Sequence, residues 1–406
     1  MFPVEGEDII AVQDPQDFIE PFGFSAQLVP ILMYCDGRHT PEAMRDAIAR
    51  ETGAQLATAD ILRVLEMMDE WLLFDSPRFV AVREARDRAF IASDIREAAH
   101  AGGSYPAHPE DLKKRLDHIL SLAPDPDGNV SNLVGLIAPH IDLRVGERAY
   151  APVYRAVKSF AAQLDDDAPV TFVILGTSHY GTGDLFLPSR KDYVTPLGRM
   201  RCDREFLDRL EKELGRPFQA DDTAHRPEHS IEFQVLFLQH LFGEKASDGR
   251  VKFAPILCTS FHPLFDRDAE TRAEYDAFVE ALRKTVSQSE TRTVLLVGGD
   301  LAHVGRKFGD PFDAESVLET VDAADRELLD IVCRRDSAGL FAHIAADRDA
   351  RNVCGFPPML AMLDTLDVYG EPVGEIVHYE QWNEVETRSA VTYGSVVYLR
   401  KNATAA

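Results

Sequence analysis

Several segments far apart in this chain end an apolar run on a side chain that can hold a proton or a metal ion. LVGLIAPH (133–140) ends on His140, VTFVILGTSH (170–179) ends on His179, and TVLLVGGDLAH (293–303) runs through Asp300 to His303. NVCGFPPMLAMLDTL (352–366) sets Cys354 before Gly355, Pro357 and Pro358, ahead of an apolar helix. TAHRPEHSIEFQVLFLQHLF (223–242) opens a helix after Pro227-Glu228-His229-Ser230. Histidine nitrogen and cysteine thiolate suit zinc, copper or iron. Histidine also titrates near neutral pH and serves as acid or base. A cysteine just before a helix start is expected to feel the positive dipole end, which lowers its pKa.

Each residue also has an ordinary structural explanation. A histidine at a strand end can be a cap or plain surface polarity, and a free cysteine can be a small buried hydrophobe. Three strand ends on one edge would each need a separate explanation, so convergence favours a site. The residues leave two chemistries open. One is a mononuclear metal site drawn from two histidines, a cysteine and an aspartate. The other is a nucleophile–base pair of Cys354 with His140 or His179. His229 reads as a helix cap or an acid–base group, and His240 as a packed core histidine. Cys35, Cys202, Cys258 and Cys333 read as structural. No G-x-S-x-G, P-loop or G-x-G-x-x-G pattern occurs, so nothing supports a hydrolase elbow or nucleotide site.

The elements that must position these groups follow from the same runs. Apolar segments 133–140, 170–179, 251–260 and 293–303 alternate with helical stretches such as AYAPVYRAVKSFAAQL. Near-continuous apolar runs fit parallel strands covered on both faces. Their alternation with helices predicts an open three-layer α/β sheet, whose ligands bind outside the carboxyl ends of the strands.

Composition sets the outer bounds. The chain has 406 residues, 45% hydrophobic and 27% charged, enough for a large core. No apolar run of about 18 residues occurs, so no membrane helix is expected. The acidic start MFPVEGEDII lacks the features of a signal peptide. Five scattered cysteines do not make a disulfide framework, and a reducing cytoplasm is the expected location. A net charge of −25 argues against nucleic acid and anionic membranes.

Residues 1–82 form the first expected domain, 83–98 a charged helical connector, and 99–402 the α/β domain. Residues 24–79 read as three helices closed by a two-stranded ribbon in LLFDSPRFVAV. Thr40-Pro41 marks one helix start, and Ile61, Leu65, Met68 and Leu72 share a face of the third helix. This arrangement resembles a winged helix and the PqqD-like peptide-binding domains found beside radical-SAM enzymes. DNA binding does not fit the charge. Residues 1–80 hold fifteen Asp and Glu, five Arg and no Lys. The third helix sets Arg63 alone against Asp60, Glu66, Asp69 and Glu70, the wrong sign for phosphate. A protein or peptide partner is expected instead.

Six ordered motifs carry a further resemblance: IREAAHAGGSYPAHPEDLKKRL, GLIAPHID, VILGTSHYG, PEHSIEFQVLFLQ, VGGDLAHVG and VCGFPP. They resemble the Memo family, which includes the AmmeMemoRadiSam system protein B, over roughly residues 95–400. The resemblance implies a fold similar to the class III extradiol dioxygenases. It also implies iron or copper, with zinc as a third candidate, held by His140, His179 and Cys354. Asp300, His303 and His229 would line the same pocket as catalytic groups. The implied function is redox or oxygen-dependent metal chemistry, of non-haem oxidoreductase type, tied to radical-SAM and AMMECR1-like system proteins. Two departures bear on substrate: Ile141-Asp142 follows the A-P-H motif, and Gly103-Ser104-Tyr105 stands where a tryptophan commonly precedes the tyrosine. Two other classes compete, a peptide- or protein-binding module without turnover and a metal-free cysteine-dependent hydrolase or transferase.

Overall fold

A computed structural model describes residues 2–3, 8–12, 14, 18–165, 167–181 and 183–401. The chain divides into two compact units, residues 1–92 and 93–406.

The smaller unit contains an antiparallel sheet of β1 (Phe2–Pro3), β2 (Ile9–Val12) and β3 (Phe22–Ser25). Helices Val29–Met33, Pro41–Thr52, Thr58–Glu70 and Pro77–Ala92 follow. The Thr40 hydroxyl accepts from the Ala43 N–H at 3.3 Å, with Pro41 in the first turn, and Gly53 closes that helix at φ 74°. Ile31, Met44, Ile48 and Ile61 form the local core. The ribbon expected at 72–82 does not form. Ser76 and Pro77 start a helix there, the Ser76 hydroxyl accepting from the Phe79 N–H at 3.4 Å. The strands come from residues 2–25 instead. The stretch expected as a helical connector is split: its first part continues the helix to Ala92, and Ile95–Glu97 is a strand of the larger sheet.

Among the described residues, the larger unit holds an eleven-stranded mixed sheet. Its strands are β4 (Ile95–Glu97), β5 (Leu133–Ala138), β6 (Val170–Thr177), β7 (Phe186–Pro188), β8 (Asp192–Thr195), β9 (Gly198–Cys202), β10 (Val251–Cys258), β11 (Arg292–Gly298), β12 (His303–Gly305), β13 (Val373–Glu384) and β14 (Ser389–Leu399). The order is β12-β14-β5-β11-β6-β10-β9-β8-β4, with β13 on β14 and β7 on β10. The centre, β5-β11-β6-β10-β9, is parallel, and β14 joins β5 antiparallel. Every residue of β5 and β6 is buried, as parallel strands covered on both faces require. One group of packed helices includes Pro109–Ser121, Glu147–Ala162 and Glu232–Phe242. A second includes Arg204–Leu214, Ala269–Ser287 and Phe356–Leu366. The sheet lies flanked by these helices.

Register aligns the strand ends. Gly298 of β11 sits opposite Ala138 of β5 and Gly176 of β6. His140, His179 and Asp300 each follow within three residues, so they emerge along one edge. The edge is closed by a tight approach at Gly298, where a Cβ would lie 2.3 Å from the Ser230 carbonyl oxygen. Gly298→Ala is therefore expected to push back the loop before helix Glu232–Phe242 and destabilise by about 1–3 kcal/mol, read as a lower thermal midpoint. An unchanged midpoint would show that the loop yields freely. No helix among the described residues is long and apolar enough to cross a membrane.

Candidate metal centre

His140 is fixed from two sides. Its N–H donates to Asp300 Oδ1 at 2.9 Å, and its Nδ1 lies 3.1 Å from the Gly298 carbonyl oxygen. A carbonyl only accepts, so the ring proton belongs on Nδ1 and Nε2 keeps its lone pair. His179 follows the same logic. Its N–H donates to Glu228 Oε2 at 2.8 Å, and its Nδ1 sits 3.0 and 3.1 Å from the two Glu228 oxygens. The Glu228 carboxylate also accepts the N–H groups of His229 and Ser230 at 2.9 and 3.0 Å. His229 stacks on His179, with ring centres 4.9 Å apart and planes inclined by 18°, and its ring centre is 5.0 Å from that of His140. One ring nitrogen from each of His140, His179 and His229 falls within 4.8 Å of the others.

Electrostatics keeps these rings available. Burial, reinforced by the neighbouring His179, pulls His140 down to about 3. Burial likewise holds His229 well below its ordinary value. Burial also lowers His179, but the Glu228 carboxylate outweighs it and the net direction is up. Glu228 is fully buried, yet the charge and hydrogen bond of His179 and the surrounding N–H donors hold it below the carboxylate range. Metals bind the unprotonated ring. Three imidazole nitrogens from three segments fit a borderline divalent ion.

The expected His/His/Cys ligand set is corrected here: the third nitrogen is that of His229, and Cys354 is not in the cluster. Its Sγ lies 3.3 Å from His140 Nε2 and 3.7 Å from the Asp300 carbonyl oxygen. The expected drop in its pKa is reversed. Burial, with the adjacent Asp300 carboxylate, pushes the thiol well above its usual value. The helix start does not help because its first N–H groups are used elsewhere. Gly355 donates to the Asp300 carbonyl at 2.9 Å and Phe356 to that of Val353 at 3.0 Å.

Asp300 lies at the same edge, with Oδ2 3.7 Å from His140 Nε2. Burial raises it to about 6. It fixes the His140 backbone, while the carboxylate that orients a ring is Glu228. His303 sits nearby on β12, its Nδ1 3.1 Å from the Leu301 carbonyl and its ring edge-on to Phe308. His240 is elsewhere, paired with Asp117 at 2.8 Å. A cavity of about 670 Å³, lined in part by Leu122, Pro126, Arg148, Ile376 and Val397, contains none of the three cluster histidines.

A family profile for Memo-like proteins matches residues 96–397, which include every residue of the cluster. The chain belongs to the Memo-like family. A MEMO1 family protein of Aquifex aeolicus is 28% identical over 392 residues, covering 96% of both chains. A MEMO1 family protein of Methanopyrus kandleri is 29% identical over 314 residues, 75% of this chain and 99% of its own. One from Methanocaldococcus jannaschii is 27% identical over 311 residues, again 75% of this chain. The Memo-like match thus carries the site, and the Aquifex alignment is long enough to take in most of residues 1–92 as well. Within this Memo-like site, Glu228 was not singled out by sequence reading. Its signal was a carboxylate directly before His229. Glu228→Gln keeps the shape but removes the charge facing His179. Metal affinity is expected to fall about 10–100-fold, measured by competition with a chelator. Equal affinity would remove Glu228 from the site's working parts.

Proposed function

We propose that this Memo-like chain holds one transition-metal ion on His140, His179 and His229 and carries out metal-dependent chemistry on a small molecule at the open side of that cluster. The carrying observation is the convergence of three ring nitrogens within 4.8 Å from three separate segments. Iron and copper are the leading ions and zinc a third, since imidazole suits all of them. When bound, the ion would supply Lewis acidity and, for iron or copper, electron transfer.

The chain's own groups divide the remaining work. Glu228 orients His179. Asp300 and His303 lie where a proton can be held or passed beside a bound molecule, and Asp300, near 6, can do so around neutral pH. Cys354 closes the site beside His140 as a neutral thiol. The edge position of the cluster on a mixed sheet is also the ground for inferring kinship of fold with the class III extradiol dioxygenases. Residues 1–92 are inferred to dock a basic protein segment, of which system partners of radical-SAM or AMMECR1 type are one source. The supporting observation is fifteen acidic against five basic residues in 1–80.

Anaerobic purification followed by titration of the metal-free chain with Fe²⁺, Cu²⁺ and Zn²⁺ tests the metal reading. One equivalent of at least one ion is expected to bind. Absence of stoichiometric binding for all three would overturn it.

A further inference from the structure

The segment I-R-E-A-A-H-A-G-G-S-Y (95–105) contributes no ligand to the cluster, yet three of its side chains converge on the loop that does. Arg96 is fully buried. Its Nε donates to the His225 carbonyl at 3.0 Å and its Nη2 to the Glu228 carbonyl at 2.7 Å, while Nη1 is paired with the Glu232 carboxylate. The Tyr105 hydroxyl donates to the same carboxylate. Glu232 also accepts the N–H groups of Ala99 and His100 at 3.0 and 3.1 Å. His100 Nε2 donates to the Pro227 carbonyl at 2.8 Å. The carbonyls of 225, 227 and 228 are thus all held, and helix Glu232–Phe242 is held at its first residue.

That loop has one product: it aims the Glu228 carboxylate at His179 and the His229 ring at His140. We propose that Arg96, Tyr105 and Glu232 form a clasp that sets the metal affinity of the site by fixing Glu228 and His229 before the ion arrives. They are positioning residues. The inference rests on the three-histidine reading and adds to it. A role in stability alone would not account for the arrangement. A buried ion pair often contributes no more to stability than apolar packing of the same volume would. What ion pairs and forked hydrogen bonds add is direction, and here each bond ends on the ligand loop or on the first residue of its helix. Groups that orient metal-binding side chains change affinity by about 10–100-fold when removed.

The test uses the full chain with Co²⁺ as the probe, titrated against a chelating dye, and records the visible bands of the bound ion. Arg96→Lys keeps the charge but loses the fork. Tyr105→Phe keeps the ring against Phe233 and loses one donor. Leu210→Ala, in a buried position on helix Arg204–Leu214, lowers stability away from the site. Arg96→Lys is expected to weaken Co²⁺ about 10–100-fold and Tyr105→Phe by a smaller factor, both with shifted bands. Leu210→Ala is expected to lower the thermal midpoint without moving affinity or spectrum. Wild-type binding with both clasp variants unmoved in affinity and spectrum would overturn the clasp alone. So would an equal loss of affinity in Leu210→Ala. If Arg96→Lys fails to fold, Tyr105→Phe decides. No Co²⁺ binding by the wild-type chain would overturn the three-histidine site and the clasp with it.

Discussion

His229→Ala is expected to lose stoichiometric metal binding, whereas Cys354→Ala is expected to keep it. The first variant leaves two imidazoles, and loss of a direct ligand should exceed the roughly 100-fold that removal of an orienting group can cause. Its fold should survive. His229 has a quarter of its side chain exposed, and its loop is held through other atoms, by Arg96 and His100 at the carbonyls of 225, 227 and 228. The second variant removes a thiol whose polar partners are His140 Nε2 and the Asp300 carbonyl. Burial keeps that thiol protonated in the metal-free chain, so its loss should leave three nitrogens where they were. Elemental analysis and calorimetric titration of both variants, with thermal midpoints of the metal-free forms, decide the matter. Metal retained in His229→Ala and lost in Cys354→Ala would sink the three-nitrogen site.

The parallel core and its working edge were legible because the physics is local. A strand buried on both faces must be apolar along its length. The runs ending at His140, His179 and Asp300 therefore announced both the strands and the residues beyond them. His229 was harder to place. It sits three residues before helix Glu232–Phe242, where a histidine reads locally as a cap. Only the docking of that helix against Gly298 and the clasp on Glu232 turns it inward, and the clasp contacts span more than a hundred residues of sequence. Cys354 failed as a ligand for the converse reason. Its local signal, a helix start, was real, but Asp300 from another segment took the Gly355 N–H and set a carboxylate beside the thiol. The ribbon expected at 72–82 shows the ambiguity of short apolar runs. Phe79, Val80 and Val82 fit a strand as readily as a helix, and the Ser76-Pro77 start decided for helix.

Acid should destabilise the metal-free chain well before ordinary carboxylates titrate. His140 is held near 3, and His225 and His229 are also lowered, all chiefly by burial. In the folded chain these rings stay neutral below about pH 6.5, whereas in the unfolded chain they take up protons there. Their contribution is present above about pH 6.5 and is lost as pH falls toward their folded values. Asp300 and Asp325 act oppositely. Burial raises both to about 6, so between about 6 and 3.9 the folded chain binds protons that the unfolded chain does not, and they add stability as pH falls. Three rings outnumber two carboxyls, and burial of His303 adds a fourth ring in the same direction. Unfolding in this range should then take up protons, so stability should fall as pH falls. Glu228, held low in the folded state, extends the loss below about pH 4.3. His179, raised by Glu228, acts the other way, its contribution present below about pH 6.5 and lost as pH rises through its folded value. The thermal midpoint of the metal-free chain is therefore expected to be highest near neutrality and to fall from about pH 6.5 to 4.5. His225 offers an internal control. It is fully buried, with Nδ1 2.9 Å from the Tyr193 hydroxyl and Nε2 2.7 Å from the Leu187 carbonyl. His225→Gln keeps hydrogen-bonding capacity but cannot titrate, so it should flatten the pH slope by up to one proton. A midpoint that does not change between pH 8 and 5 would show that these rings are not held neutral by burial.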